Sequence, residues 1–75
     1  MTNAEIIAEV NELARRFYAH LGYEVSEDFR FYGPSHNRHP QETMCWNMAV
    51  EAVELLKGTE VSDALDEYLE ELGID

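Results

Sequence analysis

The first stretch of the chain repeats apolar residues at spacings of three and four. This spacing places them on one face of an α-helix, because a helix turns once in about 3.6 residues. The helix is predicted over residues 3–21, starting near Thr2 or Asn3 and ending at Gly22, with Tyr23 placed for a hydrophobic contact back onto the last turn. Its apolar face consists of Ile6, Ile7, Val10, Leu13, Ala14, Phe17, Tyr18 and Leu21.

A second helix is predicted over residues 40–57. Pro40 suits a first helical position, because its fixed φ is already helical and its missing donor would be unpaired there in any case. His39 then occupies the N-cap, and Glu42 is placed to reach back to the free backbone donors. Lys57 and Gly58 provide the usual end signals, a cation at the negative end of the helix and a residue that stops it.

A third helix is predicted near residues 60–72, with Thr59 as its N-cap and Gly73 after its last turn. One face is apolar and the other carries only acidic residues. The apolar face consists of Val61, Ala64, Leu65, Tyr68, Leu69 and Leu72.

The tract over residues 41–56 of the second helix is apolar in most directions around its axis, until Glu51 and Glu54 open a polar stripe. Such a helix needs neighbours on several sides. We therefore expect helix two to be the centre of the domain or to lie against another chain. Its apolar residues are Met44, Cys45, Trp46, Met48, Ala49 and Val50.

Residues 23–39 form a connection longer than most, and loops of this length usually have a function or structure of their own. Several aromatic side chains in it would be costly to leave in water, so we expect them to pack over the helices, with a short helical turn around Ser26 to Phe29. The sequence thus predicts an all-α, small three-helix domain with a long aromatic loop between helices 1 and 2. A chain of 75 residues makes one domain, residues 1–75.

Composition and charge narrow the class of protein. With 45% hydrophobic residues the chain is too apolar for intrinsic disorder despite a net charge of −11. From Thr59 onward there are acids and no Lys or Arg, which disfavours direct contact with nucleic acid or anionic lipid. The start lacks the features of a signal peptide or membrane span. The single cysteine, Cys45, is typical of a reduced protein, and we expect a cytoplasmic one.

His36, His39, Glu42 and Cys45 are spaced by three and are ligand types that suit zinc. However, Pro40 prevents one helix from carrying all four, and Glu42 and Cys45 are better explained as a cap and a buried thiol. A nucleophilic role for Cys45 is disfavoured because its apolar neighbours raise a thiol pKa. The sequence therefore predicts no metal site, no cofactor and no enzymatic activity.

Residues for contact with a partner are expected in three places, the third of which is the acidic third helix. The first is the apolar part of helix two, which favours a homodimer, although core packing and a groove for a foreign peptide are alternatives. The second is the loop, where donors are concentrated, although its arginines could instead dock the loop onto the acidic helix. The candidates are Met44, Trp46 and Met48 in the helix and Phe29, Arg30, Phe31 and Arg38 in the loop.

The acidic third helix offers Glu67, Glu70 and Glu71 to a basic protein partner. One hypothesis is a nucleic-acid mimic that inhibits a DNA- or RNA-binding protein, and the alternative is a solvated face that keeps the protein soluble. The leading hypothesis is a small, acidic, self-associating interaction module without catalytic activity. A salt series distinguishes the self-associating module from the nucleic-acid mimic. Binding through the carboxylates weakens as ionic strength rises, whereas association through apolar side chains hardly changes.

Overall fold

The computed structural model describes residues 2–32 and 39–73, which contain three α-helices and no strand. Helix α1 spans Asn3–His20, α2 spans Pro40–Lys57 and α3 spans Val61–Leu72. The predicted all-α fold class is confirmed, and each predicted helix agrees with the observed one to within one residue at either end. Helical periodicity is therefore a sufficient signal for every regular element in these two ranges.

Both ends of α1 are fixed by local hydrogen bonds. At the start, the Thr2 hydroxyl accepts from the Glu5 amide at 3.2 Å, and the Thr2 amide donates to the Glu5 carboxylate at 3.1 Å. At the end, Gly22 takes a left-handed conformation with φ +94°, which lets the Tyr23 amide donate back to the Tyr18 carbonyl at 3.3 Å. The two tyrosine rings stack with centroids 4.9 Å apart, so the predicted cap and its hydrophobic contact are confirmed.

Helix α2 begins as the sequence predicts. Pro40 is its first residue, and the His39 amide donates to a carboxylate oxygen of Glu42 at 3.0 Å. Glu42 is buried, and its carboxylate gives an acceptor to a backbone donor that has no partner within the helix. The helix ends at Gly58, which is left-handed with φ +66°.

The start of α3 differs from the prediction. Thr59 is not the N-cap, because the helix begins one residue later and Glu60 occupies that position without a side-chain capping bond. The first amide of the helix, that of Val61, instead donates to a carboxylate oxygen of Glu54 at 3.0 Å. Glu54 lies in the last turn of α2, so the chain caps α3 from the preceding helix across a short connection.

Helix α1, and not α2, is the centre of the domain, so the expectation that helix two is central is wrong. α1 packs extensively against both other helices, whereas α2 and α3 touch only slightly. The apolar residues of α1 lie on one broad face, and both other helices pack against that face. The apolar residues of α2 point in several directions, and only one side of α2 can contact α1. The buried core consists of Ile6, Ile7, Val10, Ala14, Tyr18, Phe31, Cys45, Ala49, Val53, Val61 and Ala64.

The chain after α1 returns along that helix. The Phe29 amide donates to the Ser26 carbonyl at 3.1 Å, which closes a turn. Next, the side chain of Asn11 on α1 donates to the Phe29 carbonyl at 2.8 Å and accepts from the Phe31 amide at 2.7 Å. This pair of bonds fixes the backbone on both sides of Arg30 and directs the Phe31 ring into the core. The remainder of the predicted loop, residues 33–38, lies outside the described residues.

Candidate functional site

One side of α2 carries a row of apolar side chains that the described part of the chain leaves largely in solvent. Met44 is 59% exposed, Met48 50% and Leu55 83%, with the half-buried Ala52 between them. Spacings of four, four and three keep these side chains on one side of the helix. These four residues are termed the α2 stripe. Their exposure agrees with the prediction that the tract has more apolar surface than its sister helices cover, which is the usual mark of an interaction surface.

A recess of about 190 Å³ opens beside the stripe, where the end of α1 meets the start of α2. Side chains of both helices line it, and α2 contributes Met44, Cys45 and Met48. It is termed the socket. Its lining consists of Phe17, His20, Leu21, Met44, Cys45 and Met48. Apart from the imidazole, these side chains are apolar or weakly polar, so the socket suits an apolar side chain better than a charged or hydrogen-bonding ligand.

A second, wider recess of about 390 Å³ lies at the other end of the α1 and α2 pair, over Leu13, Val53 and Leu56. Its charged rim is balanced: Lys57 pairs with Glu9 at 3.2 Å, and Arg16 pairs with Glu12 at 3.2 Å. The linings of the two recesses thus contain two carboxylates and two permanent cations. This part of the surface is close to neutral in a chain whose net charge is −11.

Trp46 lies on the opposite side of α2 from the two methionines. A rotation of about 100° per residue places it about 200° from both Met44 and Met48. Its ring packs 5.5 Å from Tyr32, which in turn lies 6.2 Å from the ring of Tyr68 on α3. The structure therefore separates the three predicted contact residues of this helix, and Trp46 joins α2 to the returning chain and to α3.

The predicted contact residues of the loop are also separated. Phe31 is buried in the core, and Phe29 packs edge-on against it with ring centroids 4.8 Å apart. The Arg30 side chain between them is exposed, and Arg38 lies outside the described residues. The Phe31 ring therefore has no surface to offer a partner. In the described part of the loop, Arg30 is the predicted contact residue with an exposed side chain.

The acidic face of α3 is exposed as its pattern predicts, with Glu67, Glu70 and Glu71 all in solvent. Glu67 also accepts a hydrogen bond from the Asn3 amide group at 2.8 Å, which ties α3 to the start of α1. At the other end of the helix, a hydrogen bond and repulsion from Asp63 raise the pKa of Glu60. Like charges are therefore crowded along this helix.

The residues weighed as a zinc or thiol site do not form one in the part of the chain that the structure describes. Among residues 2–32 and 39–73, no group of three potential ligands lies close enough to hold a metal ion. Cys45 is 1% exposed, and burial raises the pKa of its thiol, which disfavours the reactive thiolate. His39 is the exposed N-cap of α2, and His36 lies outside the described residues.

Comparison of the chain with protein-family models, with curated proteins and with solved structures finds no match. Within the described ranges, no helix has the length and apolar character that a membrane crossing requires.

Sequence reasoning missed three residues that shape this surface and its support. Leu55 is the most exposed member of the α2 stripe, and its position follows from the same periodicity that selected Met44 and Met48. Asn11 and Glu54 hydrogen-bond to backbone groups 18 to 20 and seven residues away along the chain. The Asn11 contacts follow from the tertiary path of the chain, which no local signal specifies.

Proposed function

We propose that this chain is a small protein–protein interaction module that forms a homodimer through the α2 stripe and the socket, and that it catalyses no reaction. The observation that carries the proposal is the exposure of Met44, Met48 and Leu55 in one continuous row. A small domain has a thin stability margin, because it buries only about 60% of its unfolded surface. Covering this row with a second copy removes apolar area from water and widens that margin.

The distribution of charge supports a second copy as the occupant of this surface. Two molecules of charge −11 repel each other, so self-association favours the part of the surface with the least net charge. The linings of the recesses between α1 and α2 meet that condition, because Glu9 and Glu12 are balanced by Lys57 and Arg16, and Glu51 adds one exposed carboxylate at the flank of the stripe. A strongly basic partner would gain nothing from this neutral region and would be drawn to the acidic α3 instead.

The test is sedimentation equilibrium over a concentration series, with one substitution in the stripe and a matched control outside it. Met48→Glu places a carboxylate in the seam and is expected to give a monomer. Leu72→Glu is the control, because Leu72 on α3 is 46% exposed, close to the 50% of Met48, and lies outside the stripe. A wild-type protein that stays monomeric at every concentration refutes the proposal, as does equal weakening of association by both substitutions.

A second candidate function is inhibition of a DNA- or RNA-binding protein by the carboxylates of α3. One feature favours it: the helix contains several exposed acids and no Lys or Arg to pair with them. The test is binding to a polyarginine peptide at low and high salt, with a triple variant Glu67→Gln, Glu70→Gln and Glu71→Gln. Steep loss of binding with salt and in the variant supports this candidate, and weak, salt-independent binding rejects it.

A further inference from the structure

We infer that the two copies pack α2 against α2 in antiparallel directions, with Leu55 of each copy inserted into the socket of the other. This inference rests on the proposed homodimer and adds the orientation of its seam. A closed pair of identical chains has two-fold symmetry, so each contact in the seam occurs twice. The α2 stripe of one copy must therefore fit the α2 stripe of the other, with the two helices either antiparallel or parallel.

The order of large and small side chains along the stripe favours the reverse direction. In an antiparallel pair centred near residue 50, Met48 of one copy faces Ala52 of the other, so a long side chain meets a short one. A parallel pair sets Ala52 against its own copy and leaves a gap there, while Met48 meets Met48. Close packing without gaps is the rule in protein interfaces, which favours the antiparallel pair.

The socket gives the same orientation independently. The part of its lining that belongs to α2, residues 44, 45 and 48, is centred about as far before residue 50 as Leu55 lies after it, so the antiparallel pair brings the Leu55 side chain over the socket. Leu55 is 83% exposed, and the socket of about 190 Å³ is lined by apolar side chains that include Phe17 and Leu21. A protruding leucine and an apolar recess on one surface are complementary features. The parallel pair instead places the two sockets side by side and leaves both leucines outside them.

The first experiment exchanges the sizes at positions 48 and 52 and measures dimer dissociation by sedimentation equilibrium. Ala52→Met crowds two long side chains together, and Met48→Ala opens a gap, so each is expected to weaken the dimer about tenfold. The double variant restores one long and one short side chain at each contact and is expected to return to within about threefold of the wild type. Ala and Met are both strong helix formers, and circular dichroism checks that the helices persist.

The outcome separates this inference from the proposed function. A wild-type monomer overturns the homodimer itself. A wild-type dimer that Ala52→Met tightens is parallel at this position, because filling the gap between two alanines then strengthens it. A wild-type dimer whose double variant shows no recovery has some other seam. Either of these last two results overturns the antiparallel orientation and leaves the homodimer in place.

The exposed Glu51 provides a second test, because it flanks the stripe close to the centre of the seam. In an antiparallel pair the same flank of each helix faces its copy, so the two Glu51 carboxylates repel each other across the two-fold axis. Glu51→Gln is then expected to tighten the dimer about threefold at low salt, with less effect at high salt. In a parallel pair Glu51 of one copy faces the opposite flank of the other copy's α2, away from the second Glu51. If Glu51→Gln has no effect on dimer dissociation at low salt, the antiparallel orientation is contradicted.

Discussion

Replacement of Asn11 by alanine removes two hydrogen bonds between its side chain and the backbone of residues 29–31. Its side chain donates to the Phe29 carbonyl at 2.8 Å and accepts from the Phe31 amide at 2.7 Å. Each such bond contributes about 1 kcal/mol net, and a backbone group left without a partner in a partly buried site costs at least as much. We therefore expect Asn11→Ala to lower the free energy of unfolding by about 2 kcal/mol. A domain of this length has about 4–11 kcal/mol in total, so the loss is substantial.

Urea denaturation followed by circular dichroism measures this loss directly, at one fixed protein concentration because association contributes to stability. The fluorescence of Trp46 gives a second reading, because its ring packs 5.5 Å from Tyr32, next to the anchored segment. The matched control is Asn3→Ala, since the Asn3 side chain makes one exposed hydrogen bond to Glu67 at 2.8 Å. We expect that control to cost no more than about 0.5 kcal/mol. If Asn11→Ala costs no more than Asn3→Ala, the hydrogen bonds of Asn11 do not anchor residues 29–31 to α1.

Three further predictions concern helix ends and pH. Glu54→Ala leaves the first amide of α3 without its capping carboxylate and is expected to cost about 1 kcal/mol in thermal or urea unfolding. Gly22→Ala forces a side chain into a left-handed conformation with φ +94° and is expected to cost about 1–2 kcal/mol, although no neighbouring atom obstructs the added methyl group. The hydrogen bond from Arg15 lowers the pKa of Glu12 in the folded state. The ionised Glu12 therefore stabilises the fold fully at a pH above the pKa that Glu12 has in the unfolded chain. This stabilisation is lost as the pH falls through the lower pKa of the folded protein, so wild type and Glu12→Gln should have similar stability in strong acid.

The ends of the helices could be predicted because the decisive interactions there are local. Thr2, Pro40 and Gly22 act on backbone groups within a few residues, and the structure places all three as the sequence indicates. The failure of Thr59 as a cap has the opposite cause. The carboxylate of Glu54, in the preceding helix, accepts from the Val61 amide at the start of α3. Such a contact between helices can replace a local N-cap, and the spacing of residues in the sequence does not reveal it.

The candidate surface was predicted in part. Periodicity identifies an excess of apolar area on α2, and Met44 and Met48 are exposed as that excess requires. Periodicity also places Trp46 on the far side of the same helix, but only the path of the returning chain shows that Tyr32 packs there. The central position of α1 likewise depends on how three faces meet in space, which one-dimensional spacing does not determine.

Because α2 and α3 make little contact, α3 is held in the domain less strongly than α1 and α2 are held to each other. α3 contributes only Val61 and Ala64 to the buried core, whereas α1 contributes five residues and touches both neighbours. Local unfolding starts where the fewest apolar contacts must break, and α3 packs against α1 but hardly against α2, so we expect α3 to detach before α1 and α2 separate. Backbone amides of α3 then exchange with solvent through this partial opening, and those at the middle of α1 exchange only when the whole domain unfolds.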